Sequence, residues 1–181
     1  MKALIIIDMI DGYMKDTDNP RMIVQNQMNL IKAFRRKHHK IILARPSIKN
    51  HKKNSVMIRL WGEEFKDDPK GKLLVTELRK IKFDKIIDKS EYSAFYNTDL
   101  QIYCNKNRID ELFLTGTFSG ACVYFTGVDA AYRHIQPYYV NDAVGSPKKS
   151  LVGIKWKGDT IKKFKLMIGP LVNTKDVLKN L

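Results

Sequence analysis

With 181 residues, 44% hydrophobic and 29% charged, the chain fits one domain (1–181) with a sizeable core. No apolar run is long enough to span a bilayer, and the start Met1-Lys2-Ala3-Leu4-Ile5-Ile6-Ile7-Asp8 is too short and too abruptly acidic for a signal peptide, so a cytoplasmic protein without membrane contact is expected. The net charge of +14 is spread over short clusters such as Arg35-Arg36-Lys37, Lys52-Lys53 and Lys162-Lys163; with no dominant arm and no zinc-finger or RNA-binding motif, it reads as a solvated surface rather than a nucleic-acid footprint.

Taken in chain order, the pattern predicts a strand over Ala3–Ile7, a helix over Arg21–Lys37 and a strand over Lys40–Ala44. The stretch from Pro46 to Pro69 is polar and irregular, with Trp61 inside it; a loop of that length in a compact domain is usually functional or disordered. There follow a helix over Leu73–Lys80, a strand over Lys85–Asp88, a helix over Asp99–Lys106 and a strand over Glu111–Thr115. The remaining elements are a helix over Val123–His134, strands over Tyr138–Asn141 and Leu166–Ile168, and a helix over Thr174–Leu181 with Asn173 or Thr174 as N-cap. The first and fourth strands are almost wholly apolar, as strands buried on both faces are. This alternation predicts an α/β protein: a three-layer, doubly wound, six-stranded parallel sheet, Rossmann-like, in the order 3-2-1-4-5-6.

Sites in such sheets form at the carboxyl ends of strands. Asp8 follows the first strand, Lys89 the third, and Cys122 the fourth strand and its Gly/Ser-rich turn. Cys122 opens a helical pattern, where unpaired N–H groups and the helix dipole favour the thiolate, the nucleophilic form. Burial at a strand end would raise the basicity of Asp8. Each has an ordinary alternative: a turn-forming Asp, a surface lysine paired with Asp88 or Glu91, and a cysteine chosen for packing. Cys104 lies on an amphipathic stretch and reads as buried and inert. Two cysteines make neither a disulfide framework nor metal-site spacing. His38, His39 and His134 read as surface residues and His51 as loop-borne, so Cys122 would need an activator other than histidine.

Four segments stand in chain order: Leu4-Ile5-Ile6-Ile7-Asp8-Met9-Ile10-Asp11-Gly12-Tyr13, Lys89-Ser90-Glu91-Tyr92-Ser93-Ala94-Phe95-Tyr96-Asn97-Thr98-Asp99-Leu100, the run from Gly116 to Ala130 around Cys122-Val123, and Val140-Asn141-Asp142-Ala143-Val144-Gly145-Ser146. They carry a resemblance to the isochorismatase-like cysteine hydrolase superfamily, which includes the nicotinamidases. It implies a catalytic triad of Asp8, Lys89 and Cys122, and an oxyanion hole from the backbone N–H groups of Phe118 and Cys122. A cis peptide between Thr117 and Phe118 is implied as well. The reaction implied is hydrolysis of a small amide-like C–N bond through a thioester acyl-enzyme. Isochorismatases proper cleave a vinyl ether and lack this cysteine. The family also commonly forms homo-oligomers, dimers or tetramers.

Two departures from the family stand out. Nicotinamidases carry an Asp-x-His metal motif after the second strand; Arg45-Pro46-Ser47-Ile48-Lys49-Asn50-His51 lacks it, and only His51 and Glu64 remain nearby, so no metal and no other cofactor are expected. Gly127 replaces the usual Ala, which reads as a small loss of helix propensity. Tyr13, Trp61, Tyr92 and Phe118 are candidates to line an aromatic substrate pocket, and Arg59 to bind a substrate carboxylate or support the loop. A basic nucleic-acid-binding protein on the same fold, or a reactive-thiol oligomer without turnover, are the competing functions.

Overall fold

The structure is a computed structural model that describes residues 1–47, 56, 59–60, 73–148 and 156–181. Strands β1 (Lys2–Ile7), β2 (Lys40–Pro46), β3 (Lys85–Lys89), β4 (Glu111–Thr117), β5 (Gln136–Gly145) and β6 (Leu171–Val172) form one sheet. Its order is β3-β2-β1-β4-β5-β6 with every neighbouring pair parallel, as expected from the sequence. The helices described are α1 (Asp11–Lys15), α2 (Pro20–Arg36), α3 (Leu100–Lys106), α4 (Cys122–Tyr132), α5 (Trp156–Met167) and α6 (Thr174–Asn180). No helix among the described residues is long and apolar enough to cross a membrane.

Strand β1 is the axis of the fold. Its side chains alternate between two cores, which is what a period of two demands of a strand covered on both faces. Ala3, Ile5 and Ile7 pack with Leu100 and Cys104 of α3, Val123 and Ala130 of α4 and Phe164 of α5. Leu4 and Ile6 face the other way, onto Ile23, Leu30, Ile31 and Phe34 of α2 and Val177 of α6. All five are fully buried, and each large one contributes about 1.5–3 kcal/mol by leaving water. The carboxyl end of β1 is thereby fixed on both faces.

Two sequence expectations are corrected. The helix expected over Leu73–Lys80 is only a 3-10 turn at Thr76–Leu78. The backbone there is engaged with the segment after β1: Asp11 N–H donates to Leu73 O at 2.9 Å and Val75 N–H to Met9 O at 3.1 Å. Tertiary hydrogen bonds have replaced helical ones. The strand expected over Leu166–Ile168 is instead the end of α5, and β6 lies at Leu171–Val172. Leu166 and Met167 are apolar but 85% and 72% exposed; the buried residue of that turn is Phe164, so local apolarity marked the wrong segment.

Phe164 also changes the reading of Gly127. A Cβ on Gly127 would lie 2.5 Å from the Phe164 ring and 2.9 Å from Leu114 Cδ1. The glycine gives space at the packing of α4 against β4 and α5. Gly127→Ala is expected to lower stability by about 1–2 kcal/mol: overpacking costs about 1–3 kcal/mol, offset in part by about 1 kcal/mol of helix propensity. Thermal unfolding of Gly127→Ala, alone and with Phe164→Leu, checks this; the second substitution should recover part of the loss, and a stabilised single variant would show that helix propensity prevails.

Candidate active site

The chain turns sharply where β1 ends. Asp8 has φ of +51°, in the left-handed region that non-glycine residues rarely occupy. Its N–H donates to Ala44 O at 2.8 Å, and its carbonyl accepts the N–H of Ile10 at 2.9 Å and the hydroxyl of Thr117 at 2.8 Å. Beside it, Gly116 has φ of +115°, and a Cβ there would lie 2.0 Å from the carbonyl oxygen of Ile7. Only glycine lets β4 run this close to the end of β1.

Lys89 is the last residue of β3, two strands away, and its extended side chain reaches across to the same point. Its Nζ lies 2.7 Å from Asp8 Oδ2 and donates to Cys122 Sγ at 3.3 Å and to Glu91 O at 3.1 Å. The ammonium thus has two hydrogen-bond acceptors and one ion-pair partner around it. Cys122 is the first residue of α4. Asp8, Lys89 and Cys122 are 1%, 3% and 7% exposed. Neither carboxylate oxygen of Asp8 meets hydrogen-bond geometry with a described residue, so the short approach of Nζ is an ion pair by distance, and the carboxylate retains accepting capacity.

All three groups hold protons more tightly than they would in water. Burial pushes Asp8 up, and the attraction of Lys89 and the nearby Cys122 thiol only partly offset this. For Lys89 burial opposes the charge, but Asp8 and Cys122 outweigh it and the ammonium is favoured. Burial first, and then the charge of Asp8, push the Cys122 thiol up to about 12, although Lys89 pulls the other way. Burial and the neighbouring carboxylate thus oppose the thiolate that the helix N-terminus was expected to favour. Cys104 is buried as expected, and burial pushes its thiol up to about 12 as well.

The turn between β4 and α4 leaves three backbone donors unused among the described residues. Ser119 N–H donates to Gly145 O at 2.8 Å, and Ala121 and Val123 N–H donate to Phe118 O at 3.1 and 3.3 Å. The N–H groups of Phe118, Gly120 and Cys122 have no partner among the described residues, and the expected oxyanion-hole pair, Phe118 and Cys122, is among them. The peptide Thr117–Phe118 is cis, as the resemblance implied. The turn is anchored below by the hydroxyls of Ser119 and Ser146, 2.6 Å apart and buried. Ser146 N–H in turn donates to Asp18 Oδ1 at 2.7 Å. Ser119 and Asp18 were not singled out in the sequence; Ser146 entered only as the end of the fourth matching segment.

The proposed pocket residues divide. Tyr13 and Phe118 sit together, ring centroids 5.3 Å apart. Tyr92 instead stacks on Phe125 of α4 at 5.4 Å. Arg59 is exposed. Trp61, His51 and Glu64 lie outside the described residues. Among the described residues, no group of three or more His, Cys, Asp or Glu side chains is placed to hold a metal ion.

Comparison with known proteins agrees with this architecture. A family model described as the isochorismatase domain matches residues 2–158. The phenazine biosynthesis protein PhzD of Pseudomonas fluorescens is 31% identical over 106 residues, which are 59% of this chain and 51% of that protein; the match thus spans about half the length of this curated relative. The structure of an N-carbamoylsarcosine amidase from Thermoplasma acidophilum is 28% identical, with a TM-score of 0.78 over 96% of this chain and 97% of that one. A cysteine hydrolase from Pseudomonas syringae pv. phaseolicola, 22% identical, shares the fold with a TM-score of 0.87 over 98% of this chain and 91% of that one. A family model that covers most of the sequence, on a sheet of the expected order, shows that the chain belongs to the isochorismatase family of hydrolases.

Proposed function

We propose that this chain hydrolyses a C–N bond of a small amide-like molecule, with Cys122 as nucleophile, Asp8 as general base and acid, and Lys89 as electrostatic support. The observation that carries the reading is the position of Lys89 Nζ, 2.7 Å from Asp8 Oδ2 and 3.3 Å from Cys122 Sγ. One ammonium touches both the base and the nucleophile inside a buried site. The retained thiol favours C–N cleavage over the vinyl-ether chemistry of isochorismatases proper, and the likeness to an amidase structure supports the same choice.

The raised affinities for protons fit a nucleophile that is a thiol at rest. Asp8 takes the proton of Cys122 as Sγ attacks the substrate carbonyl, so the negative charge moves from carboxylate to sulfur and then to the carbonyl oxygen. Lys89 lies beside the first two positions, and the unused N–H groups of Phe118 and Cys122 are suited to the third. Asp8 then returns the proton to the leaving nitrogen, the C–N bond breaks, and a thioester remains on Cys122. Water, giving a proton to Asp8, attacks the thioester. The acid leaves, the proton returns to sulfur, and the site is regenerated. The Tyr13–Phe118 pair beside the turn suits a small substrate with a flat or apolar part.

The direct test is intact-protein mass spectrometry after exposure to a panel of small amides, with product analysis. The expected result is ammonia or amine release and a trapped acyl mass on the peptide containing Cys122. Turnover with the acyl group on another residue would overturn the assignment.

A further inference from the structure

We propose that Thr117 is a positioning residue for this chemistry, holding the Asp8 carboxylate against the Lys89 ammonium that also touches Cys122, by fixing the backbone of Asp8; the inference rests on the mechanism above. Thr117 is the last residue of β4, is fully buried, and its hydroxyl donates to the carbonyl oxygen of Asp8 at 2.8 Å. That bond closes around Asp8, the residue just after β1, where the backbone leaves the sheet at φ of +51°. An aspartate in the left-handed region persists only where its surroundings determine it. Three hydrogen bonds do so here, from Ile10 N–H and Thr117 Oγ1 to the carbonyl and from Asp8 N–H to Ala44 O. Two are backbone bonds of the local turn and of the neighbouring strand β2. The Thr117 bond is the side-chain contribution, and it comes from the strand that leads directly into the Phe118–Cys122 turn. It therefore sets the general base and the nucleophile's turn in one frame.

Side-chain geometry explains why a threonine suits this place. Its Cγ2 would lie 3.3 Å from a Cβ built on Gly145, so the methyl faces β5 while the hydroxyl faces β1. Valine keeps the shape and loses the donor; serine keeps the donor and loses the methyl. The Asp8 carbonyl would remain bonded to Ile10 N–H in Thr117→Val, so the turn can persist while its tilt, and with it the carboxylate, is released.

The test reads the Asp8 charge through Cys122. A correctly placed carboxylate disfavours the thiolate, so removing its charge in Asp8→Asn should speed iodoacetamide labelling of Cys122 at pH 8, by about 3- to 10-fold for each unit by which the thiol pKa falls. Thr117→Val, with Thr117→Ala as a second donor-less variant in case valine does not fold, should label faster in the same direction and hydrolyse more slowly. Thr117→Ser should return both rates towards wild type. The decisive arm is Thr117→Val in the Asp8→Asn background, where it should add nothing to labelling, because its effect passes through the lost charge. Faster labelling in that double variant would show general loosening and overturn the proposal. Wild-type labelling by Thr117→Val, with Asp8→Asn accelerated, would overturn the role of Thr117 alone. No acceleration in Asp8→Asn would overturn the mechanism and this inference together.

Discussion

Cys122→Ala is expected to lose hydrolysis by about 10⁴-fold or more, as loss of a nucleophile does elsewhere, with little change in stability. In the proposed mechanism the sulfur is the atom that forms the thioester, so no neighbouring group could take its place in the sequence of steps. Stability should be kept for independent reasons. Alanine is the best helix former, and the position is the first of α4. Sγ accepts a hydrogen bond from Lys89, and losing it leaves the ammonium still bound to Asp8 and to Glu91 O. Steady-state turnover, adduct mass and thermal unfolding measured on one preparation separate the two effects. A folded Cys122→Ala protein that hydrolyses at the wild-type rate would exclude a thioester route.

Lys89→Ala has the opposite profile, damaging the fold as well as the chemistry. It leaves Asp8 buried and without its cation, and breaking a buried pair costs about 3–5 kcal/mol. The pH dependence has a definite sign. Burial already holds Asp8 above its ordinary value of 3.8, and loss of Lys89 raises it further. A group that binds its proton more tightly when folded adds stability at low pH and loses it as pH rises through the folded pKa. The variant should therefore be most damaged near neutral pH and approach wild type as Asp8 protonates on acidification. In the wild type, Lys89 is raised above its ordinary 10.5, so its contribution is complete below that pH and is lost in strong alkali. Urea unfolding at pH 5 and pH 8 measures the difference, and an equal deficit at both would contradict it. Labelling of Cys122 should also slow, since the positive charge that favours the thiolate is gone, provided the variant is folded under the assay conditions.

The opposite signs expected for Lys89→Ala and Asp8→Asn in thiol labelling follow from one arrangement, a cation that touches both the anion and the thiol. This arrangement was only partly legible in the sequence. Strand positions were clear because Ala3–Ile7 and Leu112–Leu114 are continuous apolar runs, and the reactive types stood at the ends of such runs. The state of the thiol was not clear, because position at a helix N-terminus is local while burial is tertiary. The same difference accounts for the elements that were misplaced. The 3-10 turn at Thr76–Leu78 replaces a helix because its neighbours hydrogen-bond to Met9 and Asp11, a contact across more than sixty positions of sequence. Thr117 looked like any β-branched strand residue, since nothing local shows that its hydroxyl meets the carbonyl of Asp8.

The burial of both sulfurs has a consequence for the protein outside its reaction cycle. Burial pushes both thiols up and nearly closes them off from solvent, which disfavours the thiolate that peroxide, disulfides or stray electrophiles attack. Oxidation of cysteine follows thiolate character and exposure, so the proposed nucleophile would be protected by the same dryness that would make it depend on Asp8. A nucleophile formed only in the presence of its substrate would be durable between turnovers and selective during them. Thiol titration of the native and unfolded protein should therefore serve as a direct count of molecules whose sheet has assembled.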